Sequence, residues 1–255
     1  MEKSELTLNQ HEILYDLKKL RMPGMAEEAE RIFSENRSSL GFEEYLLRLL
    51  KSERLSRQNK KTARLLKEAH LKIPQAVINE RMEDPARNID MNLVRKLSGC
   101  QWINEGRNVI ITGQTGTGKT WLACALGAAA VNHGYKVRYY KASRLTEELQ
   151  NCEKADTLNE KLNSLNRLDL LIIDDFGMME LDFRKCRALF EILDSREGSR
   201  SVITVSQIPP AEWYDLFENS TFADACLDRL IRPSEHLDLK GDSLRGLISP
   251  ESACV

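Results

Sequence analysis

Eight consecutive residues near the middle of the chain have the composition and spacing of a phosphate-binding loop. They are Gly113, Gln114, Thr115, Gly116, Thr117, Gly118, Lys119 and Thr120, and they fit the pattern G-x-x-x-x-G-K-[S/T]. Glycines let the backbone turn tightly, so that its N–H groups can approach phosphate oxygens. In this pattern the lysine reaches the β- and γ-phosphates and the threonine ligates Mg²⁺. The loop and the adjoining Trp121 therefore predict a site for ATP and Mg²⁺.

A second segment, LDLLIIDDFG, could complete this site, because its apolar run ends in Asp174 and Asp175. We expect the run to be a strand whose carboxyl end lies beside the phosphate loop. Asp174 would then belong to the Mg²⁺ shell, and Asp175 would position the attacking water. Without the upstream loop, the same pair would be interpreted as two solvated acids at the end of a strand.

A third polar strand end occurs in SVITVSQIP, where Gln207 follows an apolar run and precedes a pair of prolines. If this strand is adjacent to the one that bears Asp174, the Gln207 amide could hydrogen-bond the γ-phosphate or its attacking water. An ordinary polar strand end explains the residue equally well from its spacing alone.

The elements that must position these residues alternate in type from Asn108 onward. Five β-rich runs (NVIITG, KVRYYKA, LDLLIID, SVITVS and HLDL) are separated by helical segments. This alternation predicts an α/β fold with a five-stranded parallel sheet and helices on both faces. We predict a helical N-terminal domain over residues 1–75, a linker and lead-in helix over 76–106, the nucleotide-binding domain over 107–246 and a tail over 247–255.

The N-terminal region is helical in pattern and contains no convincing strand. HEILYDLKKLRM places Ile13, Leu17 and Leu20 on one helical face, and Pro23 and Gly24 interrupt it. A short second helix is predicted over 25–33, and a long third helix over 41–70.

The composition gives no sign of export or of membrane insertion. The formal net charge is -2, and the six cysteines show no metal-ligand spacing, which favours reduced thiols. The N-terminus has no apolar signal segment, and the longest apolar run is far shorter than a membrane span. We therefore expect a cytoplasmic protein with no membrane partner.

Positive charge is concentrated in one part of the chain. Residues 48–72 contain nine Lys and Arg against two Glu. On a helix, Arg54, Arg57, Lys61 and Arg64 form one stripe. Such a stripe could neutralise DNA phosphates, although most charge runs are solvated helix faces. No aromatic residue interrupts the run, which favours double-stranded over single-stranded DNA.

A smaller basic group, Arg184 and Lys185 in DFRKCR, is a second candidate for DNA contact.

Several further segments, taken with those above, carry a resemblance to a known family. They are RMPGMAEEAE, FEEYLLRLLKSE, GQTGTGKTWLACALG, LLIIDDFGM, TVSQIPPAEWYDLF, ADACLDRLI and LKGDSLR. The chain resembles AAA+ ATPases of the initiator and helicase-loader group, and more narrowly the IstB family of transposition helpers. The resemblance implies a homo-oligomer with ATP at its subunit interfaces, double-stranded DNA as a ligand and a transposase as a partner. It also implies a reduced or absent lid after the last strand.

The resemblance assigns roles to arginines that spacing alone could not. Arg229 in LDRLI matches the arginine that a neighbouring subunit inserts against the γ-phosphate, with Arg232 as a close rival. Arg245 in GDSLR matches the second sensor arginine, which acts on its own subunit's nucleotide. The chain departs from the broad AAA+ pattern at Asp175, where most members have Glu. Because the shorter carboxylate would be displaced by roughly 1.5 Å, we predict slow ATP hydrolysis.

Three other functions remain open at this point. A DnaC-type helicase loader would share the ATPase core and act on single-stranded DNA. A small-molecule kinase would share the phosphate loop but need an acceptor pocket, and a non-hydrolysing scaffold would use ATP only to assemble.

Overall fold

The computed structural model describes residues 6–34, 41–78, 89–178, 181–232 and 234–241. The chain divides into two compact units, Met1–Arg64 and Leu65–Val255. The division falls within a long helix, earlier than the boundary we predicted at residue 75. The last turn of that helix explains the difference, because Leu65 and Ala69 are buried in the hydrophobic core of the second unit.

The first unit is helical, as predicted. It is built from α1 (Leu8–Lys19), α2 (Pro23–Ser34) and the part of α3 (Phe42–Ala69) that precedes Leu65. Leu14, Met25, Ala29 and Leu49 form its small core. The apolar face predicted for α1 is only partly correct: Leu17 packs against this core, but Ile13 is 43% exposed and Leu20 is 64% exposed. Since α1 ends at Lys19, Leu20 lies outside the helix, and the buried residue of α1 is Leu14.

A glycine and a buried carboxylate bring α2 and α3 together. A Cβ on Gly24 would lie 2.7 Å from Ser52 O and 2.8 Å from Glu53 Cα, so only glycine permits this approach without displacement. The Glu53 carboxylate accepts hydrogen bonds from the backbone N–H groups of Gly24 and Met25, at 2.8 and 3.2 Å. Glu53 therefore satisfies the otherwise unpaired first N–H groups of α2.

The second unit contains a five-stranded sheet, which confirms the predicted fold class. The strands are β1 (Asn108–Gly113), β2 (Val137–Lys141), β3 (Leu170–Phe176), β4 (Ser201–Ser206) and β5 (Ser234–Leu239). Their order is β2-β3-β4-β1-β5, and every pairing is parallel. The carboxyl ends of β1, β3 and β4 therefore meet at one edge, where the predicted phosphate loop, acid pair and Gln207 are located.

Helices cover both faces of this sheet. They are α6 (Lys119–Asn132), α7 (Ala142–Lys154), α8 (Leu158–Asn166), α9 (Phe183–Arg196) and α10 (Ser220–Ile231), with a 3₁₀ helix over Pro210–Leu216. Successive residues of β1 enter opposite cores: Val109 and Ile111 pack in one cluster and Ile110 in the other. Burial on both faces is typical of a parallel sheet and explains the nearly continuous apolar runs of its strands.

The segment predicted as a linker is partly integrated into the core. Its helices, α4 (Met91–Ser98) and α5 (Gln101–Asn104), bury Val94, Leu97 and Trp102 against the sheet. The Trp102 indole donates a hydrogen bond of 2.8 Å to Leu97 O. After β5, Arg245 and the predicted tail lie outside the described residues. In the part of the chain that the structure describes, no helix is both long enough and apolar enough to cross a bilayer.

Candidate nucleotide-binding and catalytic site

The phosphate loop joins β1 to α6 and has the backbone conformation that its glycines predict. Gly113, Gly116 and Gly118 have φ angles of 142°, 90° and 95°, which disfavour other residues. A Cβ on Gly113 would lie 2.2 Å from Leu239 O, so this position also needs glycine for space. The loop leads directly into the N-terminus of α6, whose first N–H groups and positive dipole end favour a bound phosphate.

The Lys119 ammonium lies within the loop. Its Nζ donates hydrogen bonds to the carbonyl oxygens of Gly113 and Gln114, each at 2.6 Å. The residue is only 8% exposed. The loop therefore places the Lys119 amino group where the motif binds phosphates.

Asp174 lies beside Thr120, as the two sequence motifs together predict. The Thr120 hydroxyl donates a hydrogen bond of 2.9 Å to Asp174 Oδ2, and Asp174 is 1% exposed. A hydroxyl and a carboxylate are oxygen ligands of the kind that Mg²⁺ prefers. Among the described residues, no group of three or more His, Cys, Asp and Glu could hold a metal. The Thr120 hydroxyl and the Asp174 carboxylate fit a Mg²⁺ ion that substrate phosphates help to hold.

Tyr139 also binds Asp174, a contact that the sequence did not predict. Its hydroxyl donates a hydrogen bond of 2.6 Å to Asp174 Oδ2. Burial, the hydrogen bond to Asp174 and the negative charge of that carboxylate raise the pKa of Tyr139 far above its usual value. The hydroxyl therefore remains a proton donor to Asp174 throughout the physiological range.

Asp175 has a different environment from its neighbour. Its φ angle of 58° is left-handed, and the register between β3 and β4 shifts between Ile173 and Phe176. Its side chain is 34% exposed and lies 3.1 Å from Lys141 Nζ, so it is accessible to water. Lys141 is a second residue that the sequence analysis missed, since its proximity depends on the pairing of β2 with β3.

Gln207 follows β4, and β4 pairs with β3, so the predicted adjacency to the acid-bearing strand is confirmed. The Thr115 hydroxyl donates a hydrogen bond of 2.6 Å to Gln207 Oε1. This contact places the amide at the tip of the phosphate loop. The three sequence-predicted elements of the site therefore lie together at one edge of the sheet.

The family model described as IstB-like ATP binding protein matches residues 15–251, nearly the whole chain. The chain belongs to this family. The insertion-sequence ATP-binding protein y4uH of Sinorhizobium fredii is 36% identical over 241 residues, which are 94% of this chain and 97% of that relative. The ATP-binding protein of insertion sequence IS21 from Pseudomonas aeruginosa is 30% identical over 237 residues, 92% of this chain and 89% of the relative.

Solved structures of related architecture show the AAA+ fold of the family. The crystal structure of the DnaC helicase loader matches with a TM-score of 0.52 and 19% identity, over 69% of this chain and 98% of that one. AMPPCP-bound DnaA from Aquifex aeolicus matches with a TM-score of 0.53 and 22% identity, over 68% of this chain and 52% of that one.

Arg229 lies far from the phosphate loop of its own chain. The side-chain amide of Asn108, the first residue of β1, donates a hydrogen bond of 2.8 Å to Arg229 O. Gly113 ends the same strand, so the two positions are separated by roughly 16 Å, five steps of about 3.3 Å. The Arg229 guanidinium lies 2.6 Å from Asp194 and 3.1 Å from Glu197. In this family member, Arg229 is therefore remote from the nucleotide site of its own chain.

Arg232, the rival candidate, lies next to the end of α10 and is more accessible. Its side chain is 82% exposed and forms an ion pair with Asp228, whereas that of Arg229 is 21% exposed. Arg229 remains our prediction for the arginine that acts on a neighbouring subunit's nucleotide, with Arg232 as the alternative.

The predicted DNA-contacting residues are accessible at the surface. Arg54, Arg57, Lys61 and Arg64 are all exposed on α3. Arg57 Nε donates a hydrogen bond of 2.7 Å to Glu53 Oε1, so part of its charge is neutralised within the helix. In the second unit, Arg184 is exposed at the start of α9, and Lys185 lies 3.1 Å from Asp182.

Proposed function

We propose that this chain is an ATPase that assembles on double-stranded DNA and presents target DNA to the transposase of its insertion sequence. The observation that carries the proposal is the buried Asp174 carboxylate, hydrogen-bonded to Thr120 beside the phosphate loop and followed by the more exposed Asp175. The relatives are named as insertion-sequence ATP-binding proteins, and these names support the link to an insertion sequence.

Each residue of the site has a distinct task in the proposed hydrolysis. The loop N–H groups and Lys119 would bind the phosphates and stabilise the charge that develops during transfer. Thr120 and Asp174 would hold Mg²⁺, which would supply positive charge to neutralise the phosphates. Asp175 would orient the attacking water, and Gln207 would donate to the γ-phosphate from the tip of the loop.

The position of Arg229 supports hydrolysis at subunit interfaces. An arginine at the amino edge of the sheet cannot reach the nucleotide at the carboxyl edge of the same chain. In a head-to-tail oligomer, the amino edge of one subunit could face the carboxyl edge of the next. Arg229 of a neighbouring subunit would then donate to the γ-phosphate, where such an arginine accelerates hydrolysis by about 10³ or more.

The exposed stripe on α3 supports binding to the DNA backbone. Lysines and arginines that contact phosphates bind without sequence preference and lose affinity steeply as salt rises. The described residues of α3 that face solvent from Arg54 to Arg64 include no aromatic ring that could stack on unpaired bases. We therefore infer a preference for double-stranded DNA, with the transposase reading or cutting the DNA that this protein presents.

The DNA-binding step can be tested with fluorescent duplex and single-stranded DNA, each with ATP, ADP or no nucleotide, across a salt series. We expect ATP-dependent binding that prefers duplex and weakens with salt. R54Q/K61Q should lower the duplex affinity at least tenfold and reduce the salt slope by about 2. K18Q/K19Q removes the same charge from exposed positions on α1 and serves as the matched control. A preference for single strands would instead favour a helicase loader, and no binding at all would exclude both functions.

The catalytic step can be tested separately by phosphate release. D175N should retain ATP binding but lower kcat about a hundredfold, because the variant cannot accept a proton from water. K119A should lose ATP binding as well. If D175N hydrolyses ATP at the wild-type rate, the chain uses another group as its base. If the wild type binds ATP without hydrolysis, ATP serves only assembly.

A further inference from the structure

Lys72 lies close to the buried acid of the nucleotide site. Its Nζ is 3.9 Å from Asp174 Oδ2, the oxygen that also accepts hydrogen bonds from Thr120 and Tyr139. The Lys72 side chain is 44% exposed, whereas that of Asp174 is 1% exposed. The ammonium therefore approaches the acid from solvent.

The contact between Lys72 and Asp174 is one of charge and not a hydrogen bond. At 3.9 Å the two atoms are beyond hydrogen-bond distance, and Oδ2 already has donors at 2.9 and 2.6 Å. Both of those donors are neutral hydroxyls, which stabilise a carboxylate without compensating its charge. A buried carboxylate needs such compensation, because removing a charge from water is costly. Lys72 supplies a positive charge at this place.

The backbone around Lys72 is attached to the helix that begins at the phosphate loop. Burial raises the pKa of the Cys124 thiol on α6, and the backbone N–H groups of Lys72 and Ile73, which face the sulfur, oppose this rise. The Trp121 indole, also on α6, donates a hydrogen bond of 3.4 Å to Val77 O. These contacts with α6, together with the burial of Leu71 in the same core cluster, hold the segment in place. The flexible lysine side chain can consequently leave Asp174 without movement of its backbone.

We propose that Lys72 is a positioning residue that competes with Mg²⁺ for Asp174. It compensates the carboxylate while no metal is bound, and it turns into solvent when Mg²⁺ and ATP bind, because two cations at one carboxylate oxygen repel each other. The inference rests on the proposed nucleotide site and extends it. Because of this competition, the site binds Mg²⁺ more weakly than Thr120 and Asp174 alone would bind it. The weaker affinity favours release of the metal between rounds of ATP binding.

The test is a Mg²⁺ titration of the full chain, without DNA, monitored by binding of a fluorescent non-hydrolysable ATP analogue. K72Q should lower the Mg²⁺ midpoint at least threefold relative to wild type. K72R keeps the positive charge and should restore a midpoint close to that of wild type. K67Q removes a charge from an exposed position five residues earlier and should also leave the midpoint unchanged. Structural damage would raise the midpoint, so a decrease is specific to lost competition.

Thermal unfolding gives a second readout that does not depend on the analogue. Without Mg²⁺ and nucleotide, K72Q should unfold at a lower temperature than wild type, and saturating Mg²⁺ with the analogue should reduce that difference. An unchanged or higher Mg²⁺ midpoint for K72Q would overturn the competition. Weaker binding of the analogue at saturating Mg²⁺ would also overturn it, by assigning Lys72 to the phosphates. If the wild type binds no analogue at any Mg²⁺ concentration, the nucleotide site itself is wrong and the inference falls with it.

Discussion

The hydroxyl of Thr115 donates a hydrogen bond of 2.6 Å to Gln207 Oε1, which joins the phosphate loop to the loop that follows β4. The bond occupies the amide oxygen of Gln207 and leaves its NH₂ group available as a donor. The amide is therefore held beside the backbone of the phosphate loop. Such preorganised donors lower the activation barrier most when they hydrogen-bond atoms on which charge develops in the transition state.

Gln207→Ala should lower kcat by about a hundredfold and change KM for ATP by less than about threefold, because the lost donor acts mainly in the transition state. Steady-state phosphate release measures both constants. Thr115→Val removes only the tether and should cost less than Gln207→Ala. A Gln207→Ala enzyme with wild-type kcat would reduce the residue to an ordinary polar strand end.

Arg229→Ala should lower the rate of ATP hydrolysis by a homo-oligomer about 10³-fold, while ATP binding persists. Mixing Arg229→Ala with Asp175→Asn should restore part of the activity, because some interfaces then combine an intact Asp175 with an intact neighbouring Arg229. Phosphate release across a series of mixing ratios detects this complementation. If mixtures remain inactive, Arg229 does not act in trans.

Arg229→Ala also removes contacts between α10 and α9, and this loss of stability needs its own control. Arg229 lies against Asp194, Glu197 and the ring of Phe190, which join α10 to α9. Thermal unfolding of Arg229→Ala should therefore be compared with that of Arg232→Ala, whose side chain is mostly solvated. Recovery of activity only in mixtures made with Arg232→Ala would assign the trans role to Arg232.

The helical unit should lose stability in acid because of Glu53. Burial raises the pKa of Glu53, but hydrogen bonds from Arg57, Met25 and Gly24 outweigh it and lower the pKa overall. Since the folded-state pKa is below the unfolded value of about 4.3, the stabilisation is complete above that pH and is lost as the pH falls through the folded-state pKa. Glu53→Gln should flatten this dependence and cost about 1 kcal/mol at neutral pH.

Amide hydrogen exchange over residues 23–34 measures this effect locally, which matters because the chain has two units that could unfold separately. Protection factors in wild type, which correct for the pH dependence of intrinsic exchange, should fall below about pH 4. A Glu53→Gln variant with the wild-type acid profile would show that another carboxylate is responsible.

Gly24→Ala should destabilise the helical unit by about 1–3 kcal/mol, because the added methyl group meets the backbone of α3. Gly41→Ala is the matched control, since nothing lies within 4 Å of a Cβ at that position. Exchange rates in α1 and α2 should increase for the first variant only. Equal exchange rates in the two variants would mean that α2 and α3 accommodate the added methyl group without loss of stability.

Much of the fold was predictable because its signals are local. Alternating apolar runs and helical segments predicted all five strands, and the second and third helices of the N-terminal region were found to within two residues at each end, whereas the first begins and ends three residues earlier than HEILYDLKKLRM predicts. Of the apolar face predicted for that first helix, Leu17 packs against the core, whereas Ile13 is exposed and Leu20 lies beyond the end of the helix at Lys19. The strand order could not be predicted, since it depends on which apolar faces pack together and not on spacing along the chain.

The sequence by itself determined the phosphate loop, the acid pair and their place at the carboxyl edge of a parallel sheet, because motif spacing and strand direction fix these locally. Only the tertiary structure decided which side chains surround the acids. Tyr139 and Lys141 reach Asp174 and Asp175 through the pairing of β2 with β3, and Lys72 reaches Asp174 from the segment after α3. Contacts between elements distant in sequence depend on strand register and packing, and neither can be deduced directly from the pattern of residues along the chain.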